Sequence, residues 1–248
     1  TVRLKKITKI GLQLMNILAI IPARSGSKGI PSKNLALLHG RPLITYSIES
    51  AIQSQIFCDV IVSSDSQKIL SCSAKTSSQS ICINRPSYLA TDDATTLDVV
   101  KHALKEYLEI SGITPDAICL LQPTSPLRNT QEIVDSCIQF QNSTKNSLVS
   151  VSPPLQHPSD FIYSDKGQYK YCFGRDGAEV LRRQEFVKSW FINGSIYITD
   201  TRFLLKQGLF YALDDFEIFV MSEEASIDID IPLDICFAEA VLNKRNNK

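Results

Sequence analysis

Two stretches of this 248-residue chain carry side chains suited to the two halves of one binding task. The first runs Ile17-Leu-Ala-Ile-Ile-Pro-Ala-Arg24-Ser25-Gly26-Ser27-Lys28-Gly29-Ile30-Pro31-Ser32-Lys33-Asn34. Arg24, Lys28 and Lys33 supply cations, and Gly26 and Gly29 let the backbone turn tightly and bring its N–H groups close to an anion. A polyphosphate suits that set, since cations neutralise its charge and its oxygens accept hydrogen bonds. The second stretch is Ser226-Ile227-Asp228-Ile229-Asp230-Ile231-Pro232. If it is extended, Ser226, Asp228 and Asp230 share one face and the isoleucines the other. Two carboxylates side by side raise each other's pKa. A divalent cation removes that conflict, and Mg²⁺ is commonly held by one or two carboxylates plus phosphate oxygens.

The elements that must position these groups follow from the apolar pattern. Residues 17–21 read as a strand buried on both faces. Pro22 ends it, and Pro31 keeps the loop from becoming a helix at once. A helix opens at Arg41-Pro42 with the stripe Ile44, Ile48, Ala51 and Ile52. Asp59–Ser64 is a second strand, 66–76 a short helix and Ile81–Ile83 a third strand. Asp92 or Asp93 is placed to cap the next helix, whose stripe is Leu97, Val100, Leu104 and Leu108. Asp116–Leu121 is a fourth buried strand, followed by the stiff loop Gln122-Pro-Thr-Ser-Pro-Leu-Arg128, which offers Gln122, Thr124, Ser125 and Arg128 from a rigid turn, and by a helix over 130–141. Ser147–Val151 and Trp190–Ile198 are further strands, the latter with Asn193, Ser195 and Tyr197 on one face. A last helix runs through about Asn243. Strands alternating with helices predict an α/β fold with a mostly parallel sheet covered on both faces. In such sheets ligands bind beyond the carboxyl ends of strands, so Arg24–Asn34 and Ser64-Asp65 should share one edge. The prolines at 153, 154 and 158 and the aromatic run from Tyr169 mark a hairpin insertion over about 153–190. Residues 15–248 thus read as one domain. Residues 1–14 read as a disordered N-terminal arm, with Met15 the expected functional start.

Bulk properties narrow the partners. Cations and anions balance at 26 each, which argues against a nucleic-acid or anionic-membrane surface but permits a local basic pocket. No apolar run approaches the roughly 20 residues of a membrane span. The seven cysteines are scattered, odd in number and without a Cys-x-x-Cys pair, which predicts reduced thiols and a cytoplasmic protein. His39, His102 and His157 fall into no zinc-ligand spacing. The glycine loop matches neither a P-loop nor a Gly-x-Gly-x-x-Gly fingerprint.

The loop does resemble the signature of the CMP-sugar synthetases, the cytidylyltransferases that activate sialic acids and related nonulosonic acids. Arg24, Ser27, Lys28, Gly29, Lys33 and Asn34 match it. The resemblance extends through Arg85-Pro-Ser-Tyr-Leu-Ala-Thr-Asp-Asp-Ala-Thr-Thr96, Gln122–Arg128, Asn193-Gly-Ser-Ile-Tyr197 and the Ile-Asp-Ile-Asp segment, in the family's order over residues 16 to 245. It implies a Rossmann-like nucleotidyltransferase that transfers CMP from CTP to the anomeric hydroxyl of a nonulosonic acid and releases pyrophosphate. Arg24, Lys28, Asp228 and Asp230 would be catalytic, and Mg²⁺ would sit on Asp228 and Asp230, with Asp234 completing the motif. Ser27, Gly29, Lys33, Asn34, Arg85 and Thr96 would bind the nucleotide. Gln122, Arg183, Asn193 and Tyr197 would bind the sugar, with Arg128 structural. The resemblance also implies a homodimer formed through the insertion. Two departures concern the acceptor: His157-Pro158-Ser159-Asp160 lacks a following lysine, and Phe191 stands where several members carry arginine. They keep legionaminic acid beside N-acylneuraminate as the acceptor. A KDO cytidylyltransferase and a non-catalytic nucleotide-binding module are the alternatives.

Overall fold

The computed structural model describes residues 15–173 and 187–246. Its centre is a seven-stranded sheet. The strands are β1 (Ile17–Pro22), β4 (Asp59–Ser64), β5 (Ser80–Asn84), β6 (Ala117–Leu121), β7 (Ser147–Ser152), β10 (Phe191–Asp200) and β11 (Phe216–Val220). The spatial order is β11-β7-β10-β6-β1-β4-β5. β1 pairs in parallel with both β4 and β6, whereas β10 runs antiparallel to β6 and β7. The chain moves outward from β1 to β4 and β5, then returns to β6 on the other side of β1. That reversal is a topological switch point, where sheets of this kind leave a crevice at their carboxyl edge.

Helices cover both faces, as the alternation predicts. On one face pack α1 (Leu43–Ser54), α2 (Gln67–Thr76) and α4 (Thr130–Gln141), through Ile44, Ile48, Ile69, Ile133 and Phe140. On the other pack α3 (Thr96–Ser111) and α5 (Thr201–Gln207), through Val100, Ala103, Leu104, Tyr107 and Leu204. The α3 stripe is rotated from the expected one. Tyr107 is buried and Leu108 is exposed, because the Tyr107 hydroxyl donates to Asp59 at 2.9 Å and draws that side of the helix onto the sheet.

Helix starts also differ in detail. Thr95, not Asp92 or Asp93, caps α3 by accepting from the Asp98 N–H at 3.1 Å. Asn129 caps α4 in a reciprocal capping box with Glu132. The final helix, α6 (Pro232–Asn246), begins directly after the acidic segment. That segment is not a strand. A 3-10 turn over Glu224–Ser226 precedes it, and residues 227–231 pair with no strand. Ile229 is buried as the alternation requires, but Ile231 is exposed.

The small strands β2 (Leu37–Leu38) and β3 (Arg41–Pro42) pair antiparallel beside α1. Within the expected insertion, β8 (Ile162–Asp165) and β9 (Gln168–Tyr171) form a separate hairpin. Arg183 and residues 1–14 lie outside the described residues. All seven cysteines are free thiols, and among the described residues no helix is long and apolar enough to cross a membrane.

Arg128 holds the β6–α4 loop. It is 3% exposed, and its Nη1 donates to the Ser195 carbonyl at 2.6 Å and its Nη2 to Ser47 Oγ at 2.8 Å. Burial pushes its guanidinium down to about 10. It therefore clamps β6, β10 and α1 and presents nothing to a ligand. Arg128→Ala leaves the Ser195 carbonyl without its charged donor and is expected to lower unfolding free energy by roughly 2–4 kcal/mol in a denaturant titration.

Candidate active site

Four loops converge at the carboxyl edge of the sheet: 23–36 after β1, Asp65-Ser66 after β4, 85–95 after β5 and 122–129 after β6. They enclose a cavity of about 180 Å³ lined by Arg24, Gly26, Ser27, Lys33, Asn34, Arg85, Thr91, Ala94, Thr96, Gln122 and Thr124, among others. Of the fourteen expected site residues, seven line it: Arg24, Ser27, Lys33, Asn34, Arg85, Thr96 and Gln122. A larger cavity of about 580 Å³ lies at the opposite edge, beside Asn16, Asp116 and Asp200. Its two acids are committed to backbone: Asp116 accepts from the Asn16 N–H at 2.8 Å, and Asp200 caps α5.

The phosphate loop is braced from inside. The Ser27 hydroxyl donates to the Ile30 carbonyl and accepts from the Lys33 N–H at 3.2 Å, which curls the loop on itself. Asn34 is buried and donates to the Arg24 carbonyl at 2.9 Å. The Ser25 N–H and hydroxyl both donate to Asp65. Burial pushes the Asp65 carboxyl up, but the hydrogen bonds from Ser25 outweigh it and hold the group below its ordinary range. Sequence reading placed Asp65 on this edge without a task; the structure makes it the loop's anchor.

Within the fold, Gly29 is required by packing. A Cβ built there would lie 2.1 Å from the Asp230 carbonyl oxygen, so the acidic segment packs directly on the loop backbone. The Ile229 N–H also donates to the Thr124 carbonyl at 2.8 Å, which ties the same segment to the β6–α4 loop. Asp234, inside the first turn of α6, accepts from the N–H groups of Asp230 and Ile231 at 2.8 Å each. Asp234 is therefore spent on backbone.

The charges meet as follows. Lys33 Nζ lies 2.8 Å from Asp230 Oδ1. Arg24 Nη1 lies 2.7 Å from Asp92, and Lys28 Nζ 3.0 Å from the other Asp92 oxygen. Arg85 is 4% exposed and 3.5 Å from Asp65, and burial draws its pKa down. Part of the Asp228 surface meets solvent, yet burial pushes its carboxyl above the ordinary range. The Thr124 hydroxyl partly offsets this, and the Asp230 carboxylate adds to it. Among the described residues no three His, Cys, Asp or Glu side chains gather as a closed metal cluster.

Two expected sugar contacts stand differently. The bulge in β10 between Ile192 and Tyr197, where Gly194 has φ +73°, breaks the predicted alternation. Asn193 turns inward and is 4% exposed. Its Oδ1 accepts from Ser150 at 2.5 Å and from the Ser195 N–H at 3.1 Å, and its Nδ2 donates to Ser226 at 2.9 Å. Asn193 thus braces the strand against the acidic segment. Tyr197 is half-buried on the other face, its ring 6.4 Å from Tyr211. Burial, then the nearby Tyr211 and Asp228, raise its pKa.

Comparison with known proteins decides the family. Residues 18–207 match a family model described as Cytidylyltransferase. This chain belongs to that cytidylyltransferase family. Among curated relatives, an N-acylneuraminate cytidylyltransferase from Escherichia coli O18:K1:H7 is 33% identical, covering 94% of this chain and 53% of that protein. A CMP-N,N'-diacetyllegionaminic acid synthase from Legionella pneumophila is 32% identical over 92% of this chain and 97% of that protein. The cytidylyltransferase chain thus spans about half the length of the first curated relatives it matches, and nearly all of the Legionella one. The solved structure of a CMP:2-keto-3-deoxy-manno-octonic acid synthetase complexed with CTP covers 94% of this chain and is itself covered in full, with a TM-score of 0.62 at 14% identity. That likeness shows the shared cytidylyltransferase fold.

Gly29→Ala forces the acidic segment off the phosphate loop. We expect a loss of about 1–3 kcal/mol in thermal or denaturant unfolding. Gly26→Ala, where a Cβ meets nothing within 4 Å, should leave stability almost unchanged in the same assay.

Proposed function

We propose that this chain transfers CMP from CTP to the anomeric hydroxyl of a nonulosonic acid and releases pyrophosphate. The observation that carries the reading is the convergence of Arg24, Lys33 and the Gln122 loop on one small crevice at the switch point, with the Asp228–Asp230 segment packed beside it against Gly29, Thr124 and Lys33. A nucleotide-binding module would need the loop and base contacts but not a pair of acids packed onto the loop by Gly29.

The residues divide the task. The sugar oxygen attacks the α-phosphorus, the bond to the bridging oxygen breaks, and negative charge leaves with pyrophosphate. Catalysis of such a transfer is chiefly positioning and charge stabilisation. Arg24 and Lys28 accept the leaving charge, aided by loop N–H groups, and Lys33 sits between those phosphates and Asp230. Arg85 and Thr96 hold the nucleoside, with Arg85 bringing buried donors that the fold leaves without hydrogen-bond partners. Gln122 lies between nucleotide and sugar, close to Gly194. Asp228 and Asp230 are hard oxygen donors whose mutual repulsion a Mg²⁺ ion would relieve, so the acids present fit that metal. When bound, Mg²⁺ would supply charge neutralisation at the phosphates. Arg183 is our candidate for the sugar carboxylate.

The names of the relatives refer to N-acylneuraminate, diacetyllegionaminic acid and pseudaminic acid, which supports a nonulosonic acid as the acceptor. The absent lysine after His157 and the exposed Phe191 favour legionaminic acid beside N-acylneuraminate. Exposed apolar side chains on the β8–β9 hairpin, Phe161, Ile162, Tyr163 and Tyr169, support a homodimer built through the insertion. We place the protein in the cytoplasm, where its free thiols are stable.

Pyrophosphate release with CTP and Mg²⁺, offered N-acetylneuraminate, legionaminic acid, pseudaminic acid and KDO in parallel, tests the reading. Turnover should appear with one of the first three; turnover with KDO alone, or with none while CTP still binds, sinks it. Asp228→Asn separates stability from function. A carboxyl whose folded pKa is raised destabilises the fold once ionised, so that stability is lost as pH rises from the ordinary carboxylate value through the raised one. The variant should therefore melt at a higher temperature than the parent at neutral pH without ligand, while losing Mg²⁺-dependent turnover. An unchanged rate removes the metal assignment.

A further inference from the structure

We infer that Asp92 is an internal stand-in for the substrate's phosphate: it holds Arg24 and Lys28, and so ties residues 91–94 across the cavity, until a nucleoside triphosphate displaces it. The inference rests on reading that cavity as a nucleotide site. Both Asp92 oxygens are engaged, one 2.7 Å from Arg24 and the other 3.0 Å from Lys28. Arg24 also donates to the Thr91 carbonyl at 3.2 Å. The two cations best placed for phosphate are thus both bound to one short segment.

That segment is also a wall. Thr91 and Ala94 line the cavity, whose volume of about 180 Å³ falls short of the roughly 300–1,000 Å³ usual for small-molecule sites. The cavity is partly open to solvent, and freeing this wall from the two cations widens it for a triphosphate. The β6–α4 loop is locked by buried Arg128, and the phosphate loop is anchored on Asp65 and packed on Asp230. Residues 91–93 are exposed, and the ties named above are surface contacts that water and salt weaken. Asp92 has no competing task in the helix, because Thr95 caps α3. Its neighbour Asp93 touches neither cation. A triphosphate brings several anionic oxygens against one carboxylate, so it wins the exchange, but each binding event must first break the ties.

The test is calorimetric titration of CTP, and separately of inorganic tripolyphosphate, into the parent, Asp92→Asn and Asp93→Asn without metal. Asp92→Asn should bind both probes about two- to tenfold more tightly, as loss of two exposed ion pairs allows. Asp92→Ala should repeat the gain. Asp93→Asn removes the same charge one residue away and should stay within about twofold of the parent. Equal or weaker binding by the Asp92 variants, or the same gain from Asp93→Asn, overturns the inference. If the parent and every variant bind neither probe, the nucleotide-site reading itself fails, and the inference with it.

Discussion

A small apolar cluster at the carboxyl edge holds the candidate site together. Ile30 from the phosphate loop, Leu127 from the β6–α4 loop and Ile229 from the acidic segment pack with Leu38, Leu43 and Ala238 of the neighbouring elements. Each of the three loop residues is nearly or wholly buried, and burying such a side chain contributes roughly 1.5–3 kcal/mol. Summed over three residues this is large beside the cost of crowding two partly solvated carboxylates. Hydrophobic contact is therefore what lets the loop and the acids sit against each other. The Gly29–Asp230 contact and the Ile229–Thr124 hydrogen bond then set the register of that approach.

Electrostatically, the site is balanced by the chain itself. Asp92 faces Arg24 and Lys28, Asp230 faces Lys33, and Asp65 faces Arg85. These pairs differ in how firmly they are held. Asp65 is fixed by Ser25 backbone and side chain, which makes it part of the scaffold. Asp92 is half exposed and Asp230 largely exposed, so their partners are exchangeable. A crevice built this way does not pay to keep several like charges facing one another before its ligand arrives.

Much of this was legible in the chain itself. The order of strands and helices, the glycine-bearing basic loop and the Asp228–Asp230 pair are local patterns, and local patterns survive folding because backbone sterics and burial periodicity act over a few residues. The switch-point rule then places the loops on one edge, where they are. A structural Arg128 came from the family resemblance and not from the loop's own pattern, and its buried bonds to Ser195 and Ser47 agree with it. The departures came where a partner distant in sequence overrides the local rule. Asp92 looked like a helix cap until Arg24 and Lys28 claimed it.

What the sequence by itself determined is the α/β alternation, the family-specific motifs and the chemistry of cations facing acids. Only the tertiary structure decided which way several of those side chains turn. The bulge at Gly194 rotates Asn193 into the interior, where Ser150 and Ser226 satisfy it. The acidic segment is held irregular by Thr124 and Asp234 rather than paired in the sheet, and Gly29 answers to a carbonyl near the far end of the chain. The physical reason is common to all three. Buried polar groups must find partners, and those partners are chosen by packing between segments that no local period connects.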